Sequence, residues 1–170
     1  MHLHKALSVG LIVIAVIAVA QLGQAKVANA DYKNALKGVS QVKAVFDVSQ
    51  PSAFVSNLVF WAVRDVYQDS SVKGLAKPPQ VAVVFRGPAV RLLSTDNKFY
   101  KRQNQAEVVK FQSMLRKMKA DGVKIEACGY ALKVQKVDPK TVIPEVNVVG
   151  NGFVSVLGYQ TQGYQAVRVN

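Results

Sequence analysis

Cys128, the single cysteine of the chain, is the residue with the clearest chemical potential. It follows a predicted strand over residues 123–127 and precedes a predicted short helix over residues 130–135. The unpaired N–H groups and the dipole at a helix N-terminus stabilise an anion, so this placement favours the thiolate, the nucleophilic form of cysteine. Alternatively, Cys128 is a buried apolar filler, or it pairs with another chain. We expect a reactive thiol.

Glycine-containing turns follow two further predicted strands, over residues 81–85 and 146–149. Ligands of open parallel sheets bind beyond the carboxyl ends of the strands, where glycine leaves room for them. We expect Arg86 to supply a positive charge there, although an ordinary ion pair with an acid is the alternative for this side chain. The residues predicted to bind a ligand beside Cys128 are Arg86, Gly87, Gly129, Asn151 and Gly152.

The composition excludes several classes of enzyme. Both histidines, His2 and His4, lie in the first thirty residues, so a chain that loses this segment has no catalytic triad, Cys-His dyad or histidine-bearing metal site. The carboxylates of Asp47 and Glu126 have no defined mate, which leaves a two-carboxylate hydrolase unsupported. Neither a dinucleotide fingerprint nor a P-loop occurs. We therefore predict no metal and no cofactor.

The chain is strongly basic, with 22 Lys and Arg against 10 Asp and Glu and a net charge of +12. The lysines are spread over predicted helices and loops, without the aromatic motif of an RNA-binding domain. We predict no nucleic-acid partner. The positive charge is interpreted as a solvated surface that faces anionic lipid or small anions.

Residues 1–30 have the pattern of a secretory signal peptide. His2, His4 and Lys5 precede an apolar stretch over residues 6–20, and Ala28-Asn29-Ala30 forms a cleavage site. The apolar stretch is shorter than the roughly 20 residues that span a bilayer. We predict a mature chain of residues 31–170 in the periplasm or outside the cell. Alternatively, residues 1–30 are not cleaved, and they anchor the protein as its one contact with the membrane.

The mature sequence alternates predicted strands and helices five times. This pattern predicts a single α/β domain of three layers, α/β/α, around a five-stranded and mostly parallel sheet. A helix predicted over residues 53–69 is apolar on more than one face, which indicates a subunit interface. Residues 70–79 are predicted to be a polar loop, and residues 94–102 a flexible excursion. The strands are predicted over residues 42–48, 81–85, 123–127, 146–149 and 164–169, and the other main helices over residues 105–120 and 153–161.

Several stretches together resemble the DsrE/DsrF-like superfamily, in particular its exported branch related to YchN. They are VAVVFRGPA over residues 81–89, GVKIEACGYAL over residues 122–132, VGNGF over residues 149–153, and Gly163-Tyr164. The G-V-x-I-x-x-C segment is the most specific of them. The similarity extends from about Val42 to Val169.

This resemblance implies a three-layer fold that assembles into homo-oligomers, commonly trimers or hexamers. It also implies sulfur transfer, with Cys128 as the persulfide acceptor and a small sulfur-containing anion as a partner. Many relatives have a histidine where this chain has Arg86, which leaves a charge in place of an acid or base. The sulfur-relay members act in the cytoplasm, so their partner subunits are not expected here. The alternative is a non-catalytic oligomeric module that binds a small anion or a protein.

Overall fold

Five parallel strands form the sheet in a computed structural model that describes residues 32–170. The sheet order is β4-β3-β2-β1-β5. All five predicted strands are confirmed, and the sheet is wholly rather than mostly parallel. The predicted signal segment lies outside the described residues. The strands are β1 (Lys43–Val48), β2 (Gln80–Phe85), β3 (Lys124–Cys128), β4 (Asn147–Val149) and β5 (Gln165–Val169).

Three main helices lie where the sequence predicts them. Ser52 begins the first of them, because its hydroxyl oxygen accepts the N–H of Val55 at 3.3 Å and satisfies an otherwise unpaired donor. The main helices are α1 (Ala53–Gln68), α3 (Gln105–Ala120) and α5 (Gly152–Thr161), and the two short ones are α2 (Ser70–Lys73) and α4 (Gly129–Val134). Within residues 32–170, no helix has both the length and the apolar character needed to cross a membrane.

Two predicted loops contain more regular structure than expected. The helix α2 occupies the start of residues 70–79, because the carboxylate of Asp69 caps it by accepting the N–H of Ser71 at 2.7 Å. Residues 94–102, predicted to be a flexible excursion, hold the 3₁₀ turn Asn97–Phe99 and the start of a second. The turn Asn97–Phe99 is capped in the same way as α2, because Oδ1 of Asp96 accepts the N–H of Lys98 at 3.0 Å.

The larger core lies between one face of the sheet and the helices α1 and α3. Phe60, Phe85 and Phe111 are fully buried there, and the rings of Phe60 and Phe111 meet edge to face at 4.8 Å. The ring of Phe85 lies 5.8 Å from that of Phe60. Since Phe85 is the last residue of β2, these aromatic contacts fix the strand end that carries Arg86.

The opposite face of the sheet is covered by α5. Val156 and Tyr159 of this helix pack with Val45 and Val84 of the sheet in a second, smaller core. Helices therefore lie on both faces, which confirms the predicted three layers. The first residue of α5 is Gly152, and this end of the helix lies against Arg86 and Cys128.

Candidate functional site

A cavity of about 350 Å³ lies at the carboxyl ends of β2 and β3. Four residues that sequence analysis assigned to a ligand site line it, namely Arg86, Gly87, Cys128 and Asn151. The other lining residues are Tyr130, Ala131, Val134, Gln135 and Phe153. The cavity is therefore formed by the strand ends that the sequence indicated, and it opens beside the first turns of α4 and α5.

Cys128 is at once the last residue of β3 and the N-cap of α4. Its Sγ atom accepts the backbone N–H of Ala131 at 3.4 Å, and only 4% of the residue is exposed to solvent. The thiol is thus held against the first turn of α4 and is reached through the cavity rather than from the open surface.

Arg86 forms a bidentate ion pair with Asp47. Its Nε and Nη2 atoms donate to the two carboxylate oxygens, and the two side chains are 18% and 13% exposed. The guanidinium carbon lies 4.1 Å from the ring centroid of Phe153, in the geometry of a cation–π contact. The expected positive charge is present, and the alternative reading of Arg86 as an ion-pair partner also holds.

The sequence shows no partner for Asp47, and in the structure this partner is Arg86 rather than a second carboxylate; the register of the sheet explains the pairing. Asp47 of β1 is paired with Val84 of β2. Side chains alternate between the two faces of a strand, so Arg86, two residues after Val84, emerges on the same face as Asp47. Knowledge of this register would have identified the ion pair from the sequence.

Gly129 and Gly152 contribute space and no side chain. A Cβ atom at Gly152 would lie 2.8 Å from Cγ of Arg86 and 3.0 Å from Cβ of Cys128. At Gly129, a Cβ atom would lie 2.9 Å from the carbonyl oxygen of Val149. Gly152 therefore allows the Arg86 and Cys128 side chains to approach the same helix end.

Asn151 caps the helix that carries the aromatic wall of the cavity. Its Oδ1 atom accepts the N–H of Phe153 at 2.9 Å, so this oxygen is already used by the protein. Asn151 thus positions Phe153, whose ring lies against Arg86.

Glu126 lies two residues before Cys128 but lines a different pocket, together with Lys124, Ser155 and Tyr159. The Tyr159 hydroxyl donates to Glu126 Oε1 at 2.8 Å. Burial, followed by this hydrogen bond to a carboxylate, raises the pKa of Tyr159. Glu126 is therefore not an acid or base of the Cys128 cavity. Across residues 32–170, no cluster of three His, Cys, Asp or Glu side chains could hold a metal ion.

The apolar rim of the cavity was not predicted as part of the site. Tyr130, Val134 and Phe153 are 69%, 57% and 61% exposed, respectively. Tyr130 and Val134 are four residues apart and share one face of α4, a spacing that could have identified them. The site thus combines a thiol, a paired guanidinium and exposed apolar side chains.

Comparisons with known proteins agree with this fold. The family model described as "DsrE/DsrF-like family" matches residues 43–169. Among solved structures, a protein of unknown function from Methanobacterium thermoautotrophicum, MTH1491, has a TM-score of 0.55 at 20% identity, covering 75% of this chain and 98% of its own. The YchN protein of E. coli has a TM-score of 0.50 at 16% identity, covering 76% and 100%. No curated protein matches the sequence.

Proposed function

The chain belongs to the DsrE/DsrF-like family, and from this membership we propose that it handles sulfane sulfur through a persulfide on Cys128. The observation that carries the proposal is the position of the chain's one thiol in the wall of a cavity of about 350 Å³. A cavity lined by a nucleophile and a few polar groups is a suitable place for a small-molecule reaction.

The proposed chemistry needs no histidine. The Cys128 thiolate attacks the outer sulfur of a persulfide R–S–SH, a new S–S bond forms, the old one breaks, and the thiolate R–S⁻ leaves. Sulfur is transferred without net oxidation or reduction. A second thiolate that attacks the outer sulfur on Cys128 takes it away and restores the thiolate of the protein.

The contact between Cys128 and α4 supports this role. The N–H of Ala131 already donates to Sγ, and hydrogen bonds from amides to anions are stronger than those to neutral acceptors. An anionic persulfide formed at Cys128 would therefore meet a donor that is in place before the reaction.

Loading with inorganic polysulfide tests the proposal. Intact mass spectrometry should show the addition of one or more sulfur atoms to the folded wild type and none to Cys128→Ser. If the folded wild type gains no sulfur while the unfolded protein does, Cys128 is a packing residue and the proposal fails.

A second candidate function is a non-catalytic module that binds a small ligand in the same cavity. The observation in its favour is the burial of Cys128, which is 4% exposed and therefore less accessible than a typical reactive thiol. The polysulfide experiment distinguishes the two candidates, because a binding module has no need of a persulfide.

Export of the protein is also proposed, on the sequence of residues 1–30. The N-terminus of the protein recovered from the periplasm or the medium should be Asp31. An intact Met1 in the membrane fraction would identify an uncleaved anchor instead.

A further inference from the structure

We infer that the Cys128 cavity selects a sulfur donor with an apolar organic body over a small inorganic anion such as thiosulfate. The inference rests on the proposed function and concerns the class of its substrate. It departs from the small anion that the sequence led us to expect.

The charge distribution of the cavity disfavours a small dianion. Arg86 is the only charged side chain among the described residues that line the cavity. Both oxygens of the Asp47 carboxylate bind its Nε and Nη2 atoms, and the ring of Phe153 lies over its guanidinium group. An incoming dianion would lose its hydration without meeting an unpaired cation. The cavity therefore offers little to offset the free-energy cost of removing the dianion from water.

The apolar rim of the cavity favours a ligand with an apolar body. Tyr130, Val134 and Phe153 are more than half exposed and line the same cavity. A ligand with an apolar body would remove this surface from water, which is the main favourable contribution that such a wall can make to binding.

The size of the cavity also favours an organic donor. Its volume of about 350 Å³ falls within the range of about 300–1,000 Å³ that is typical of pockets for drug-sized organic ligands. Thiosulfate has only five non-hydrogen atoms and is small for such a pocket, whereas an aromatic donor is closer to the ligands that pockets of this size bind.

Thiosulfate and benzenethiosulfonate form a suitable pair of probes, because each carries a sulfane sulfur bonded to a sulfonyl sulfur. The Cys128 thiolate attacks the sulfane sulfur, and the bond to the sulfonyl sulfur breaks. Sulfite or benzenesulfinate, respectively, leaves with the bonding electron pair. In both cases Cys128 becomes a persulfide, and no external oxidant or reductant is consumed.

The experiment compares the rates at which the two probes load folded wild-type protein, measured by intact mass. Each rate is divided by the rate of the same probe with N-acetylcysteine, which removes the difference in intrinsic reactivity. We expect a corrected preference of about tenfold or more for benzenethiosulfonate, on the scale of burying one aromatic ring.

Two variants identify the origin of this preference. Val134→Gln should slow loading by benzenethiosulfonate about threefold or more, since it removes apolar surface from the rim. Val109→Gln is the matched control on α3, because Val109 is 62% exposed against 57% for Val134, and its loading rates should match the wild type. Asp47→Asn keeps an acceptor for Arg86 but removes the opposing charge, so it should accelerate loading by thiosulfate several-fold.

The outcomes separate the inference from the proposed function. Equal corrected rates for the two probes, or equal effects of the Val134 and Val109 variants, overturn the inference while the proposed function stands. If neither probe nor polysulfide loads the folded protein, both are wrong. The Val134 and Val109 pair leaves the ion pair intact, so the test remains decisive if Asp47→Asn does not fold.

Discussion

Asp47 and Arg86 bind each other through two parallel hydrogen bonds at the carboxyl ends of neighbouring strands, at the edge of the cavity that contains Cys128. The pair is mostly shielded from solvent, with 18% of the arginine and 13% of the aspartate side chain exposed. It fixes the guanidinium beside Phe153 and offsets the charge of Arg86 at the site. The geometry of the site and its preference among ligands therefore depend on the same contact.

A double-mutant cycle should detect this ion pair as a stabilising interaction. We expect a coupling energy of about 1–3 kcal/mol between Asp47→Ala and Arg86→Ala, above a surface pair and below a fully buried one. Urea unfolding of the wild type, the two single variants and the double variant provides the four free energies. A coupling energy near zero would show that solvent screens the pair.

Gly152→Ala should destabilise the protein and impair sulfur loading. The added methyl group would overlap with the Arg86 and Cys128 side chains. Overpacking of this kind typically lowers the free energy of unfolding by about 1–3 kcal/mol.

Gly158→Ala is the matched control in the same helix, because a Cβ atom there meets nothing within 4 Å. It should stabilise the protein by up to about 1 kcal/mol through helix propensity. If the two alanine variants behave alike in urea unfolding and in loading, the close approach at Gly152 has no functional consequence.

Tyr67 should make stability depend on alkaline pH. Burial and a hydrogen bond to Asp121 raise the pKa of its phenol to about 12 in the folded protein, against about 10 in an unfolded chain. The folded state therefore holds this proton more tightly. Its contribution to stability is complete below about pH 10 and is lost as the pH rises towards 12.

Comparison of wild type with Tyr67→Phe isolates this effect, since Phe cannot ionise. In urea unfolding, the free energy of the variant should fall less steeply than that of the wild type above about pH 10. Identical slopes would show that the Tyr67 hydroxyl is not protected by folding.

The protein is expected to form a homo-oligomer through α1. Phe54, Leu58 and Trp61 lie on one face of this helix and are 60%, 60% and 67% exposed. Contiguous exposed apolar surface of this kind marks an interaction site. Light scattering should give a multiple of the monomer mass, with a trimer or hexamer expected from the family resemblance.

Trp61→Glu should dissociate this assembly, because a charge cannot be buried in an apolar contact without a partner. Val109→Glu introduces the same charge on α3, where the replaced residue is 62% exposed, and should leave the mass unchanged. A wild-type monomer at micromolar concentration would contradict the expected interface.

The strand order and the residues at the strand ends show how far the sequence determines this structure. Alternating strand and helix patterns predicted the parallel sheet, and the rule for its carboxyl ends brought Arg86 and Cys128 together. The partner of Arg86 could not be found in the same way, because it depends on the register between β1 and β2. Exposure is likewise a property of packing, so a short apolar helix does not reveal that Phe153 faces a cavity while Val156 is buried.

The proposed function requires that Cys128 both accepts and releases sulfane sulfur. Its most direct test is to load the folded protein with polysulfide, remove the donor, and add cyanide, which converts each sulfane sulfur to thiocyanate. The wild type should release thiocyanate in proportion to the sulfur seen by intact mass and return to its unloaded mass, whereas Cys128→Ser should release none. Loaded wild type that yields no thiocyanate, or equal yields from both proteins, would contradict the assignment of Cys128 as the sulfur carrier.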